Sequence, residues 1–286
     1  MKPVFFIELD RQLYLPGEEI TGKVVLDSPG FIKIDNIRIS FKGTEVLGTK
    51  NFWYMFSVPI VDEERALYAT NKEKEDVAVK SGEYPFGFTV PSNSPPSFKS
   101  ADFGCEYILN ARLDLGLGKH ISAKNHITVV PNAAMYPKNY EVEFGVSNND
   151  ILFRCFLEKE YFFTGDNLRG NYHIEYPADN PLRSIEFKIE AEGVSLDKDF
   201  PFTEKIWESM KAIDIKPGVT QSSGDNFFFA IPDTAPPSGL WNTFRVYWTV
   251  SAKVTLSRGE SYTAKAYFDV FKFYDKFWEE VESPQK

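Results

Sequence analysis

The chain has 286 residues, of which 43% are hydrophobic and 16% aromatic, and its formal net charge is −9. This length fits about two domains of ordinary size, each with its own hydrophobic core. The acidic balance argues against a nucleic-acid-binding protein, which normally carries a basic surface, and no apolar run approaches the roughly 20 residues of a membrane-spanning helix.

The N-terminal residues and the cysteines indicate the cellular compartment. The apolar stretch within residues 1–10 is too short for a signal peptide, and no small-residue cleavage site follows it. Cys105 and Cys155 are the two cysteines, one in each half. A disulfide framework is therefore not expected, and the composition predicts a reducing, cytosolic environment.

The predicted secondary structure is almost entirely β. Hydrophobic residues alternate with smaller or polar ones, as strands with one buried face require. Gly, Pro, Asn and Asp separate these runs, which is typical of an antiparallel β-sandwich. Charged segments at residues 62–80 and 205–221 are predicted as long loops or short helices, with helix candidates at 203–212 and 274–281. The alternating runs include Ile37, Ile39 and Phe41; Phe86, Phe88 and Val90; Tyr107, Leu109, Ala111 and Leu113; and Ile185, Phe187 and Ile189.

An internal repeat divides the chain into two copies of one unit. Residues 86–97 align without gaps with 227–238, and six of the twelve positions are identical, where composition alone gives about one. Earlier blocks match at a spacing of 148 instead of 141, for example 17–22 with 165–170. The change in spacing predicts a seven-residue insertion within 43–83 of the first copy.

The repeat predicts two tandem immunoglobulin-like β-sandwich domains, at residues 1–131 and 138–286. A short connector within 131–138, bracketed by Pro131 and Pro137, joins them. The two halves differ in charge, with 15 basic and 17 acidic residues in 1–137 but 17 and 24 in 138–286. The acidity of the second half is interpreted as a solubility feature, and selection of a basic partner is the alternative.

Specific glycines and prolines have structural roles. Gly17 suits a hairpin position with positive φ, and Gly22 suits a place where another backbone passes closely. Pro91 and the pair Pro95–Pro96 are expected to end a strand and to hold an extended crossover between the sheets.

Catalytic chemistry is not predicted. His120, His126 and His173 lie near no Cys or carboxylate at metal-ligand spacing, and Gly116-Leu117-Gly118 lacks the rest of a phosphate-binding loop. His120 is placed beside a turn, His126 at the start of a strand, and His173 on the solvent side of a strand. Cys105 is interpreted as a packed thiol. A carboxylate cluster is interpreted as part of a solvated loop; it comprises Glu63, Glu64, Glu73, Glu75 and Asp76. We therefore expect no enzyme activity, no cofactor and no metal site.

Several motifs resemble those of arrestin-fold proteins. Residues 14–24 are similar to the family's opening signature, an aromatic residue followed by Gly-Glu-x-hydrophobic-x-Gly-x-Val, and 162–168 resemble the start of its second domain. Residues 82–91, with 96–99 and 104–107, are similar to the central stretch of the α-arrestins, the arrestin-domain-containing adaptors. The resemblance implies a non-catalytic cytosolic adaptor that binds cytoplasmic tails of membrane proteins or coat and sorting proteins, with peripheral membrane association.

Two departures from the α-arrestin pattern narrow this expectation. The Pro-Pro-x-Tyr motif that engages WW domains is absent, because the segments starting at Pro95 and Pro236 lack the Tyr, so direct recruitment of a ubiquitin ligase is not expected. Val4-Phe5-Phe6-Ile7 replaces the paired basic residues that sense receptor phosphates. Alternatives are a Vps26-like subunit of a retromer-type coat and a self-assembling structural protein. Binding is expected at an exposed sandwich edge or in the groove between the domains, and the sequence assigns no partner-binding residue.

Overall fold

The computed structural model describes residues 3–48, 55–69, 78–131, 140–199, 201–214 and 223–272. These ranges form nineteen β-strands and contain no helix. They divide into two compact units: the first comprises Met1–Tyr136 and Trp241–Thr243, and the second comprises Pro137–Leu240 and Phe244–Lys286.

The strands of the first unit form two sheets. One has the order β1-β3-β6, and the other has the order β2-β9-β8-β4-β5 with β7 beside β8. All pairings are antiparallel except that of β2 with β9. The strands are β1 (Val4–Leu9), β2 (Leu13–Tyr14), β3 (Glu19–Lys33), β4 (Asn36–Gly48), β5 (Met55–Ala69), β6 (Ala78–Thr89), β7 (Phe98–Lys99), β8 (Phe103–Asp114) and β9 (His120–Val129).

The second unit repeats this arrangement and adds one strand, β10, at the edge of its smaller sheet. Its sheets have the orders β10-β11-β13-β16 and β12-β19-β18-β14-β15, with β17 beside β18, and β12 pairs with β19 in parallel. The strands are β10 (Val142–Ser147), β11 (Leu152–Leu157), β12 (Tyr161–Phe163), β13 (Asn167–Glu175), β14 (Leu182–Ser195), β15 (Thr203–Asp214), β16 (Ser223–Ala230), β17 (Gly239–Leu240), β18 (Phe244–Leu256) and β19 (Ser261–Phe271).

Alternating side chains of the facing sheets fill the interior of each unit. Along β8 every second residue from Phe103 to Leu113 is buried, as the period-two pattern predicts. In the second unit Phe187 on β14 stacks on Phe227 on β16, with ring centroids 4.2 Å apart. Contacts of this kind join the two sheets of one sandwich, so the predicted all-β class and the two sandwich halves are confirmed.

The turn that contains Gly17 has the same hydrogen bonds as the turn that contains Gly165. The predicted hairpin at Gly17 is wrong, because β2 and β3 on either side of it belong to different sheets. Gly17 and Gly165 have φ angles of 89° and 87°, a left-handed conformation that glycine adopts without strain. The Gly17 amide donates to the Val90 carbonyl at 2.8 Å, and the Gly165 amide donates to the Ile231 carbonyl at 2.9 Å. The positive φ predicted for Gly17 is confirmed, and its counterpart shows that the repeat extends to backbone geometry.

The proline-rich crossover of each unit accepts a hydrogen bond from a buried aromatic side chain. It runs from β6 to β7 in the first unit and from β16 to β17 in the second. The Tyr107 hydroxyl donates to the Pro95 carbonyl at 2.7 Å, and the Trp248 indole Nε1 donates to the Pro236 carbonyl at 2.9 Å. Pro95 and Pro236 lie outside the strands, so their carbonyls have no ladder partner, and a buried side-chain donor on β8 or β18 satisfies each of them.

Gly22 lies where two backbones meet closely, as predicted. A Cβ atom at this position would approach the Glu8 carbonyl oxygen of the neighbouring strand to 2.3 Å. Its counterpart Gly170 has the same restriction, since a Cβ there would lie 2.5 Å from the Phe156 carbonyl oxygen and 2.4 Å from the Phe227 ring. Both positions therefore admit no side chain without a shift of the backbone.

The two charged segments were wrongly predicted as loops or short helices, and so was the helix at 203–212. The described residues of 62–80 all belong to β5 or β6, and residues 203–214 form β15. β5 and β15 are outermost strands of their sheets, where one side faces solvent and charged residues are favoured. Bulges in their ladders also break the period of two.

Three predictions concern residues outside the described ranges. The connector lies mostly within the undescribed residues 132–139, and the tail helix candidate at 274–281 lies wholly beyond residue 272. The predicted seven-residue insertion within 43–83 spans two undescribed segments, 49–54 and 70–77.

Candidate interaction edges

The three histidines do not form a site. His120 begins β9, and His126 lies within that strand, not at its start as predicted; both side chains are exposed. His173 is on β13, and its Nε2 lies 3.0 Å from Glu175 Oε1 at the surface. Six residues of extended strand separate His120 from His126, about 20 Å, so the pair cannot share one ligand.

The carboxylate cluster is only partly described, and the described part lies on a strand. Glu63 and Glu64 are on β5, not in a loop, and each has a cationic partner. Glu64 pairs with Arg38 at 3.2 Å and Glu63 pairs with Arg65 at 3.5 Å. Glu73, Glu75 and Asp76 lie outside the described ranges. Among the residues that are described, no group of three His, Cys, Asp or Glu side chains has the geometry to hold a metal ion.

Each unit contains one buried thiol. Cys105 on β8 and Cys155 on β11 are both free and buried. Burial raises the pKa of Cys105 to about 12, and it raises the pKa of Cys155 as well. Because the thiolate is the reactive species, neither cysteine is suited to nucleophilic attack in the folded protein, which is the packed role that the sequence predicts for Cys105.

This burial gives a testable expectation for chemical labelling. In the native protein at pH 8 we expect neither Cys105 nor Cys155 to react with iodoacetamide within minutes, because both are buried and protonated. Adding guanidinium should expose them, and mass spectrometry of tryptic peptides then reports the unfolding of each unit separately. Rapid labelling of either cysteine without denaturant would contradict the described packing.

The outer strands of the sheets are the main candidate binding features. In the first unit β6 pairs with β3 on one side, and in the second unit β16 pairs with β13 on one side; no described strand pairs with the other side of either. Such an edge carries unpaired main-chain groups that can accept a further strand. The two edges occupy equivalent places in the repeat.

The direction of the main-chain groups along β16 follows from its last hydrogen bonds. The Ile231 amide donates to the Asp166 carbonyl, and the Ile231 carbonyl accepts from Gly165, so residue 231 faces β13. Main-chain direction alternates along a strand. Phe229 and Phe227 therefore also face β13, while the N–H and C=O groups of Asn226 and Phe228 point to the open edge.

The two equivalent edges differ in their main-chain donors. The spacing of 141 places Pro85 of β6 where Asn226 stands in β16. By the same alternation, the main-chain nitrogen of Pro85 points to the open edge, where proline has no N–H to donate. The edge of the first unit is thus blocked at its centre, and the edge of the second unit is not.

An exposed aromatic ring with two cations lies on the solvent face of β16. Phe228 is 58% exposed, Arg169 stands directly opposite it on β13, and Lys211 Nζ of β15 lies 4.2 Å from its ring centroid. A cavity of about 490 Å³ adjoins this ring; it is lined by Glu158, Asn167, Arg169, Gly170, Asn226, Phe227 and Phe228.

The sequence reasoning missed these residues, although one signal could have found them. The repeat alignment sets Pro85 against Asn226 and Gly87 against Phe228. Comparison of the two aligned strands therefore shows that one edge is blocked and the other is open. This comparison requires knowing which main-chain groups of each strand face outward.

Strand β1 carries another exposed apolar pair. Val4 is 56% exposed and Phe6 is 41% exposed, on the stretch where the sequence lacks basic residues.

The described ranges contain no helical segment with the length and hydrophobicity that crossing a membrane requires.

Comparison with known proteins gives one family assignment. Residues 5–135 match the family model for the arrestin (or S-antigen) N-terminal domain. The match covers nearly all of the described part of the first unit. No curated protein matches the chain.

Proposed function

Through residues 5–135 this chain belongs to the arrestin-like family, and we propose that it acts in the cytosol as a non-catalytic adaptor. Its partners are cytoplasmic tails of membrane proteins or coat and sorting proteins, and it associates peripherally with endosomal or plasma membranes. The observation that carries the proposal is the family match, which is supported by a second sandwich with the same hydrogen-bonded turn and crossover.

The chemistry of the described residues is compatible with binding and offers no alternative reaction. The histidines are separated at the surface, both thiols are buried, and the described carboxylates of the acidic cluster are paired with arginines. We propose no cofactor and no nucleic-acid partner, in keeping with the net charge of −9. We also propose domain bounds of 1–131 and 138–286, which agree with the spacing of the repeat.

Proximity labelling in the source cell tests the adaptor function. A biotin ligase fused to the chain should biotinylate membrane proteins with cytoplasmic tails, or sorting proteins, about tenfold above the ligase expressed alone. The tails of the strongest candidates, made as purified fusions, should then retain the purified chain in a pull-down.

The same experiment can refute the proposal. A prey list indistinguishable from that of free ligase, or the failure of every candidate tail to retain the purified chain, would contradict an adaptor role. Light scattering at dilute concentration separates the self-assembly alternative, since edge-to-edge pairing would give species larger than a monomer.

A further inference from the structure

We propose that the open edge of β16 is the binding site for an extended segment of a partner protein, and that this segment carries an acidic side chain. The inference rests on the proposed adaptor function and deepens it, because it assigns the edge that binds and the chemistry of the segment. Strand addition of this kind takes its affinity from main-chain hydrogen bonds and its specificity from alternate side chains.

The main chain of β16 offers the necessary groups. The outward-facing N–H and C=O of Asn226 and Phe228 supply two donors and two acceptors in register, and no described strand occupies them. Asn226 and Phe228 are also exposed, so an added strand would reach them without displacing core residues. An extended segment satisfies all four groups at once, whereas a helix has no free main-chain groups to offer.

The solvent face beside the edge selects the side chains. A residue paired with Phe228 would place its side chain against the exposed ring, next to Lys211 Nζ, which lies 4.2 Å from the ring centroid. Neither Lys211 nor Arg169 forms an ion pair with a described residue. Both cations can therefore engage an acidic side chain of the added segment, and their charge complements it.

The equivalent edge of the first unit does not fit the same ligand. Pro85 removes the donor that Asn226 provides, and Gly87 stands where Phe228 offers its ring. Glu83, the next residue of β6 with the same orientation, is engaged by Lys23 at 3.1 Å. One copy of the repeat therefore closes its edge, and the other leaves it open.

Binding of displayed peptides tests this inference on the full chain. A phage library of random peptides about twelve residues long is selected on the immobilised wild-type chain, and the enriched peptides are synthesised with a fluorophore. We expect the enriched peptides to contain acidic residues and to bind by slowing hydrogen exchange at the Asn226 and Phe228 amides. Asn226→Pro copies the first unit into the second, and should weaken binding about tenfold or more.

Side-chain variants distinguish strand addition at β16 from nonspecific binding to exposed aromatic residues. Phe228→Ser should weaken binding, while its matched control Tyr267→Ser should not; Tyr267 is 66% exposed and has a lysine over its ring in the same way, on the other sheet. The double change Arg169→Glu with Lys211→Glu should shift the selected peptides from acidic to basic. Protection of Cys155 from iodoacetamide verifies that each variant is folded.

Each outcome bears on the proposal. No enriched peptide, or enriched peptides that bind Asn226→Pro and Phe228→Ser as tightly as the wild type, would overturn it. Failure here is distinct from failure of the adaptor function: membrane-protein tails that bind the Asn226→Pro variant and the wild type equally would leave the adaptor role standing and remove only the β16 edge.

Discussion

Replacing Trp248 by alanine is expected to unfold the second unit at a much lower guanidinium concentration. Trp248 is fully buried, and its ring lies between Trp207 and Phe268, with centroid distances of 5.1 and 5.7 Å. Removing so large a buried ring costs about 3–5 kcal/mol, a large share of the roughly 5–15 kcal/mol that stabilises a typical domain. The change also leaves the Pro236 carbonyl without its donor.

The labelling of the two cysteines measures this effect in the correct unit. Cys155 should become reactive at lower guanidinium in the variant, while the midpoint for Cys105 stays close to the wild-type value. Trp248→Phe is the milder control, because it keeps an aromatic ring and loses mainly the hydrogen bond to Pro236; it should cost about 1–3 kcal/mol. An unchanged midpoint for Cys155 in Trp248→Ala would contradict the described core.

Replacing Gly170 by alanine should destabilise the second unit by about 3 kcal/mol. The added Cβ would lie 2.5 Å from the Phe156 carbonyl oxygen and 2.4 Å from the Phe227 ring. Phe156 is on β11, which pairs with β10 on one side and with β13 on the other, so this backbone cannot yield without disturbing two ladders. The loss is measured as a lower guanidinium midpoint for the labelling of Cys155.

Two other glycines provide matched comparisons. Gly30→Ala should change stability by less than about 0.5 kcal/mol, since no atom lies within 4 Å of the new Cβ. Gly22→Ala should have an intermediate effect, read at Cys105. Its close contact is with Glu8 on β1, an outermost strand that can move outward. Equal effects at positions 22, 30 and 170 would show that close backbone approach is not the cause.

The sequence predicted the features that depend on local patterns. The repeat, the positive φ of Gly17 and the proline crossover each follow from residues near to one another in the chain. The tight position at Gly22 was also predictable, because a glycine inside a strand often marks a place where another backbone approaches closely. The all-β class follows from the same alternation.

The features that the sequence did not predict depend on register. β15 was mistaken for a loop or helix because a bulge beside Ala191 and Glu192 interrupts its pairing, and because an outermost strand tolerates polar residues on both faces. Phe228 and Arg169 have no periodic signal of their own. Only the alignment of β16 against β13 shows that they stand opposite each other.

The parallel pairs that close each unit have a consequence for synthesis on the ribosome. Leu13 on β2 pairs with Thr128 on β9, and Tyr161 on β12 pairs with Asp269 on β19. Each sandwich thus needs its last strand before its first short strand has a partner, and pairing between such distant residues is slow. A nascent chain stalled before residue 128 would emerge with unpaired edges and exposed core residues, which makes it a natural client for chaperones until the final strand appears.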